Sequence, residues 1–178
     1  MGNILSKQYS AVYSTPFTNQ HPEEEKDGIP IINDVVFTEE DIIAAIEELR
    51  NNSAAGPDGI AAILLKKCKD SLAKPLHLLW RDCLDRGITP SALKEAHIIP
   101  VHKGGHQGVA ANYRPIALTS HLTKVFEKVI RNKLAEFLEE NNLFNSSQHG
   151  FRAGRSCLSQ LLDYHDKIIS LFGLRKSF

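Results

Sequence analysis

The chain has 178 residues, of which 42% are hydrophobic and 24% are charged, and these values are ordinary for one soluble globular domain. No apolar run approaches the roughly 20 residues that a membrane-spanning helix needs, which excludes a transmembrane segment. The three cysteines are an odd number without a CxxC pair, so the composition indicates a reduced intracellular protein.

The zero net charge conceals an uneven distribution. Residues 1–60 contain three basic and eleven acidic side chains, 3 − 11 = −8, so the remainder carries +8. Within residues 94–133, seven basic side chains accompany two acidic ones, a net charge of +5. Such a region either binds a polyanion or forms an ordinary solvated surface, and charge alone leaves both readings open.

Residues 1–36 are predicted to be a short amphipathic helix followed by an acidic loop. The stretch HPEEEKDG at 21–28 combines a charge run with proline and glycine, which disfavours regular structure. We therefore expect this segment to supply few core residues.

Residues 37–90 are predicted to form three helices. Thr38 and Asp41 have the spacing of a capping box at the start of the first helix, which should end near Asn51. After the turn AAGPDGI, helices are predicted at 60–69 and 72–86. The apolar residues with helical spacing, expected to be buried, are Ile42, Ile43, Ile46, Leu49, Leu72, Leu76, Leu79, Trp80 and Cys83.

Residues 91–172 are predicted to begin with extended structure. The apolar runs AHIIPV at 96–101 and YRPIAL at 113–118, joined by a glycine-rich connection, predict an antiparallel hairpin whose prolines restrict it to edge or irregular strands. A long helix from Leu122 and a last helix at 158–172 follow. The predicted fold class is α+β, mostly helical with one small hairpin, before a tail at 173–178.

Four stretches, in this order and spacing, resemble the reverse transcriptases of non-LTR (LINE-like) retrotransposons. They are AAGPDGIAAILLKK at 54–67, AHIIPVHKGG at 96–105, NYRPIALTSHLTKVFEKVI at 112–130 and QHGFRAGRSCLSQLL at 148–162. The resemblance implies a right-hand polymerase in which residues 91–172 correspond to the fingers and residues 37–90 to a helical extension preceding them. The palm and thumb are expected to be absent.

The resemblance also implies catalytic aspartates, which this sequence lacks. In the family a palm strand after the last helix carries the first aspartate and a Tyr-x-Asp-Asp turn supplies the rest, whereas these 178 residues contain no Asp-Asp pair. Two-metal phosphoryl transfer needs such carboxylates to hold Mg²⁺. We therefore expect a truncated RNA-directed DNA polymerase that is inactive alone and has no cofactor of its own. The parent enzyme is expected to use magnesium. Its expected partners are an RNA template, a DNA primer, a deoxynucleotide and the missing palm domain.

Six residues are candidate contacts for these partners. The resemblance implies that Lys103 and Arg114 approach the phosphates of the incoming nucleotide, and ammonium and guanidinium groups suit that ligand. Gln148, Phe151, Arg152 and Arg155 are candidate nucleic-acid contacts. The two arginines are spaced for phosphates, and Phe151 either supports a base or anchors its loop.

Two weaker patterns lead to different functions. His97, His102 and His106 have some of the spacing of a metal site, but they flank a glycine-rich loop without a nearby cysteine, which favours no metal. MGNILS at 1–6 fits N-myristoylation of Gly2, but the following segment is acidic, so membrane association is not favoured. The alternatives are a noncatalytic nucleic-acid-binding module and an N-myristoylated membrane-associated protein.

Overall fold

A computed structural model describes residues 2–11, 28 and 30–172. Most of the predicted acidic loop, residues 21–27, and the predicted tail at 173–178 lie outside the described residues. The chain divides into two compact units, one of residues 1–31 and 36–130 and the other of residues 32–35 and 131–178.

The first unit contains most of the regular structure. Its described elements are α1 (Gly2–Ser10), α2 (Glu39–Glu47), α3 (Ala62–Lys67), α4 (Lys69–Arg86), α5 (Ser91–Lys94), β1 (Ala96–His102), a 3₁₀ turn (Ala110–Asn112) and β2 (Tyr113–Thr119). Helix α6 (His121–Glu140) begins in this unit and ends in the second, which also contains α7 (Cys157–Leu171). The predicted combination of helices with one antiparallel hairpin is confirmed.

Helix α2 begins as the sequence predicts and ends earlier. The Thr38 side chain accepts a hydrogen bond from the Asp41 amide at 3.3 Å, and the Asp41 carboxylate accepts one from the Thr38 amide at 2.8 Å, so the capping box is confirmed. The helix ends at Glu47 rather than near Asn51. At the helix end the Leu49 amide donates to the Ile46 carbonyl, and a turn follows in which the Ser53 amide and hydroxyl both donate to the Arg50 carbonyl.

Helix α4 starts earlier than predicted, at Lys69 instead of residue 72. Helix α3 runs almost directly into it, because the Leu72 amide donates to the Cys68 carbonyl and only Cys68 separates the two helices. Gly87 ends α4 as predicted, with a φ of 64° that glycine adopts without strain.

The hydrophobic core lies in the first unit, where α2 and α4 pack against the start of α6. Trp80 and Phe126 stack with ring centroids 5.2 Å apart. The buried cluster consists of Phe37, Ile42, Ala45, Ile46, Leu65, Leu76, Trp80, Cys83, Val125, Phe126 and Val129. Leu79 was expected to be buried, but it is 40% exposed because the buried face of α4 runs through Leu76, Trp80 and Cys83. Burial raises the pKa of the Cys83 thiol.

The loop that contains the GPDG turn is fixed to the start of α6. A Cβ atom on Gly56 would lie 2.6 Å from the Ser120 backbone nitrogen, so only glycine fits there. His121 is fully buried, with its Nε2 atom 2.7 Å from the Ser53 hydroxyl and its Nδ1 atom 2.9 Å from the Ile60 carbonyl. These contacts hold the junction between β2 and α6 against the helical core.

Helix α7 in the second unit has no buried side chain. It begins with a capping box between Ser156 and Ser159, and its apolar residues lie largely exposed. These residues, at 59–84% exposure, are Leu158, Leu161, Leu162, Tyr164, Leu171 and Phe172. The sequence therefore predicts the helix correctly, but its apolar face lies unburied.

Candidate nucleotide and nucleic-acid contacts

The hairpin register places the two candidate nucleotide contacts on one face. Arg114 lies directly opposite Val101. The Lys103 amide donates to the Asn112 carbonyl at 2.9 Å, which extends the ladder one residue beyond β1. Because side chains alternate along a strand, Lys103, Val101 and Arg114 share a face. Both cationic residues are exposed, so the hairpin presents two positive charges to the same side.

The prolines of the hairpin leave this ladder intact. Pro100 pairs with Pro115. In an antiparallel ladder, hydrogen-bonded and non-hydrogen-bonded residue pairs alternate. The pair of Lys103 and Asn112 is hydrogen-bonded, and the proline pair lies three pairs further along, so it is a non-hydrogen-bonded pair. Neither missing N–H group would have contributed to the ladder, so both strands continue through proline at no cost in pairing.

The tip of the hairpin is braced from within. The Asn112 side-chain amide donates to the His106 carbonyl at 3.0 Å, and the Tyr113 hydroxyl donates to the Gln107 carbonyl at 3.0 Å. Asn112 and Tyr113 therefore hold this turn.

Arg152 is held inside the second unit by several partners. Its guanidinium makes two hydrogen bonds to the Glu139 carboxylate, at 2.9 and 2.7 Å, and lies 4.9 Å from the centre of the Phe144 ring. Arg152 lowers the pKa of the Glu139 carboxyl, and Glu139 raises the pKa of Arg152. The arginine side chain is only 15% exposed. This geometry makes Arg152 a brace of its loop, with Glu139 and Phe144 as partners that the sequence did not indicate.

The other candidates of this loop differ in how they are placed. Gln148 donates from its side chain to the Gly150 carbonyl at 3.1 Å, and Arg155 is exposed. Phe151 is 94% exposed and has a φ of 62°. His149, the residue after Gln148, is buried, and its Nδ1 atom lies 2.8 Å from the Ser159 hydroxyl of α7. The loop thus exposes Phe151 and Arg155, whereas Gln148, His149 and Arg152 make hydrogen bonds within the second unit.

Metal and membrane features are limited in the described part of the chain. Among residues 2–11, 28 and 30–172, no three His, Cys, Asp or Glu side chains come close enough together to hold a metal ion, and His97, His102 and His106 form no such group. None of the described helices combines the length and apolar character needed to cross a bilayer. Gly2 is exposed at the start of α1.

The chain is similar in sequence to several known proteins, although no protein-family model matches it. A probable RNA-directed DNA polymerase from transposon BS of Drosophila melanogaster is 31% identical over 75% of this chain. The probable RNA-directed DNA polymerase from transposon X-element of the same species is 28% identical over 74%. The RNA-directed DNA polymerase from mobile element jockey, also of that species, is 30% identical over 70%.

These relatives are all described as polymerases of mobile elements. The chain is a homologue of the RNA-directed DNA polymerases of non-LTR retrotransposons, which confirms the resemblance carried by its four motifs. It spans only 14–15% of the length of these relatives.

Proposed function

We propose that this chain is the fingers part of a retroelement RNA-directed DNA polymerase, where it contacts the incoming nucleotide and the RNA template. The observation that supports this most is the hairpin, whose register gives Lys103 and Arg114 a common exposed face. Two cations on one face suit a triphosphate, because guanidinium forms paired bonds to phosphate oxygens and ammonium acts as a point charge.

The core explains why such a hairpin can hold a ligand in a fixed geometry. Strand β2 leads into α6, whose first residues are fastened to the GPDG loop through Gly56 and His121. At the start of β1, the Thr123 hydroxyl of α6 donates to the Leu93 carbonyl at 2.8 Å. Both strands are therefore anchored to the same helix at the open end of the hairpin, which favours a fixed direction for the tip that carries Lys103 and Arg114.

The test is a fusion in which this chain replaces the matching segment of the jockey polymerase, assayed by primer extension on an RNA template. Arg114→Ala should raise the KM for deoxynucleotide by about tenfold or more, since a charge-assisted hydrogen bond is worth roughly 1.5 to 3 kcal/mol. Arg152→Ala should change this KM less, because its guanidinium bonds to Glu139. Arg86→Ala is the matched control, an exposed arginine paired with Asp82 at the end of α4. Equal KM values for the Arg114 variant and the parent fusion would refute the assignment.

We further propose that the 178 residues alone do not polymerise. The support is chemical, since two-metal phosphoryl transfer requires carboxylates and the sequence has no Asp-Asp pair. Purified chain with primed RNA template, deoxynucleotides and Mg²⁺ should extend no primer above background. Incorporation that copurifies with the chain through several columns would overturn this part of the proposal.

A noncatalytic nucleic-acid-binding module is the second candidate, favoured by the net charge of +5 across residues 94–133. Binding by such a module would be strongly salt-dependent and indifferent to the primer terminus. Filter binding with single-stranded, duplex and primed substrates separates the two functions. A preference for the primed RNA template favours the polymerase fragment, and equal affinities favour the module.

A further inference from the structure

A small cavity of about 280 Å³ lies between helix α1 and strand β1 in the first unit. Two residues of β1 and five of α1 line it: Ile98, Pro100, Gly2, Leu5, Ser6, Tyr9 and Ser10. The α1 positions have the i, i+3, i+4, i+7 and i+8 spacing of a single helix face, so one face of α1 meets the hairpin. The volume exceeds the roughly 150 Å³ of an apolar cavity that takes up benzene.

The described lining of this α1–β1 cavity is mostly apolar and contains no charged side chain. Leu5 is buried, and Ile98 and Pro100 supply aliphatic surface from the strand. The Ser10 hydroxyl already donates its hydrogen to the Ser6 carbonyl at 2.9 Å. A neutral ligand with an apolar body therefore suits the cavity, because a charged ligand would lose hydration without gaining an ionic partner.

Tyr9 brings an unused polar group to this lining. Its hydroxyl oxygen is buried and has no hydrogen-bond partner within the described part of the chain. A buried hydroxyl without a partner is destabilising, so it gains from any acceptor that reaches it. A lone water suits the site poorly, since a bound water needs about two to four polar partners and these walls are mostly apolar.

The cavity lies behind the hairpin face that carries the candidate nucleotide contacts. Because side chains alternate along a strand, Ile98 and Pro100 share the face opposite to that of Lys103. Helix α1 also lies beside the 3₁₀ turn Ala110–Asn112 at the hairpin tip. A molecule in the cavity would therefore touch the back of β1 and leave its front free.

We propose that the α1–β1 cavity binds a small neutral molecule with an apolar body and one hydrogen-bond acceptor. The apolar body fills the space between Leu5, Ile98 and Pro100, and the acceptor oxygen receives the hydrogen bond that the Tyr9 hydroxyl is free to donate. This site is separate from the proposed triphosphate contacts and does not depend on them.

The test is a titration of the isotopically labelled full chain with acetophenone, followed through its amide NMR signals. The comparison ligand is isopropenylbenzene, which has nearly the same shape but a methylene group in place of the carbonyl oxygen. Acetophenone should bind about threefold or more tightly, near the lower end of what one neutral hydrogen bond contributes. Saturable shifts should be concentrated in residues 2–11 and 96–102. Tyr9→Phe should bind the two ligands equally, because it lacks the hydroxyl.

Ser6→Phe, which places a ring in the cavity, should abolish the binding of both ligands. Gln8→Phe is the matched control, since Gln8 is an exposed residue of α1 outside the described lining, and it should bind both ligands as the parent does. Thermal midpoints verify that each variant is folded. Absence of saturable shifts in the parent chain, equal affinities of the parent for the two ligands, a preference for acetophenone that survives in Tyr9→Phe, or unchanged binding in Ser6→Phe would each overturn the proposal.

Discussion

Replacing Gly56 by alanine tests the attachment of the GPDG loop to α6. The added Cβ would lie 2.6 Å from the Ser120 nitrogen and 2.7 Å from both the Ser120 Cα and the Thr119 carbonyl carbon. All three atoms belong to backbone, so the contact cannot be relieved by rotating a side chain. Overpacking of this kind costs typically about 1 to 3 kcal/mol, a large part of a total stability of roughly 5 to 15 kcal/mol.

The assay is thermal and urea unfolding followed by circular dichroism. A loss of about 2 kcal/mol lowers the thermal midpoint of a chain of this size by roughly 4 to 8 °C. The control is Gly59→Asn, because Gly59 has a φ of 69° with open space around it and asparagine tolerates the left-handed region. We expect the control to unfold close to the parent chain. A Gly56→Ala variant as stable as the parent would refute the close packing of this loop on the β2–α6 junction.

Three further predictions concern the second unit. Amides of α7 should exchange with deuterium faster than those of residues 121–130, since α7 buries no side chain and a helix of its length is marginal alone; uniformly slow exchange in a monomer would contradict this. Ser156→Ala should destabilise α7 by about 1 kcal/mol, because the N-terminal cap is lost. The α7 amides should then exchange faster than in the parent chain, whereas the control Ser170→Ala should leave their exchange rates unchanged. The pKa of the Glu139 carboxyl is lowered in the fold by Arg152, so this pair stabilises the loop fully above about pH 4.5 and loses its effect as pH falls through the folded pKa. Amide spectra of residues 148–152 should show this acid-induced loosening, and Glu139→Gln should lack that pH dependence.

Local patterns in the sequence were sufficient to predict most elements of the fold. Capping at Thr38, termination at Gly87 and the short apolar runs of β1 and β2 depend on neighbours within a few residues. The end of α2 was misjudged because the helical apolar period continues to Leu49, whereas the Ser53 hydrogen bonds to Arg50 close a turn instead. Leu79 was misjudged because spacing alone does not show which side of α4 meets α2 and α6.

The candidate site could be predicted only in part, because contacts between residues distant in sequence leave no local pattern. The sequence predicts the hairpin, but the register that places Lys103 and Arg114 on one face is given by the structure. The internal role of Arg152 could not be predicted, because Glu139 is 13 residues away and the contact arises only when the loop folds back on α6. The exposed, left-handed Phe151 likewise leaves no sign in a linear pattern.

In the proposed function, the hairpin face of Lys103 and Arg114 binds the triphosphate of a deoxynucleotide. The most direct measurement is a titration of the isotopically labelled chain with deoxynucleoside triphosphate, followed by NMR. We predict saturable shifts concentrated in residues 96–119, including the Arg114 guanidinium, with weaker binding in Arg114→Ala and unchanged binding in Arg86→Ala. Shifts confined to other parts of the chain, or an Arg114 variant that binds the triphosphate as tightly as the parent, would contradict the claim.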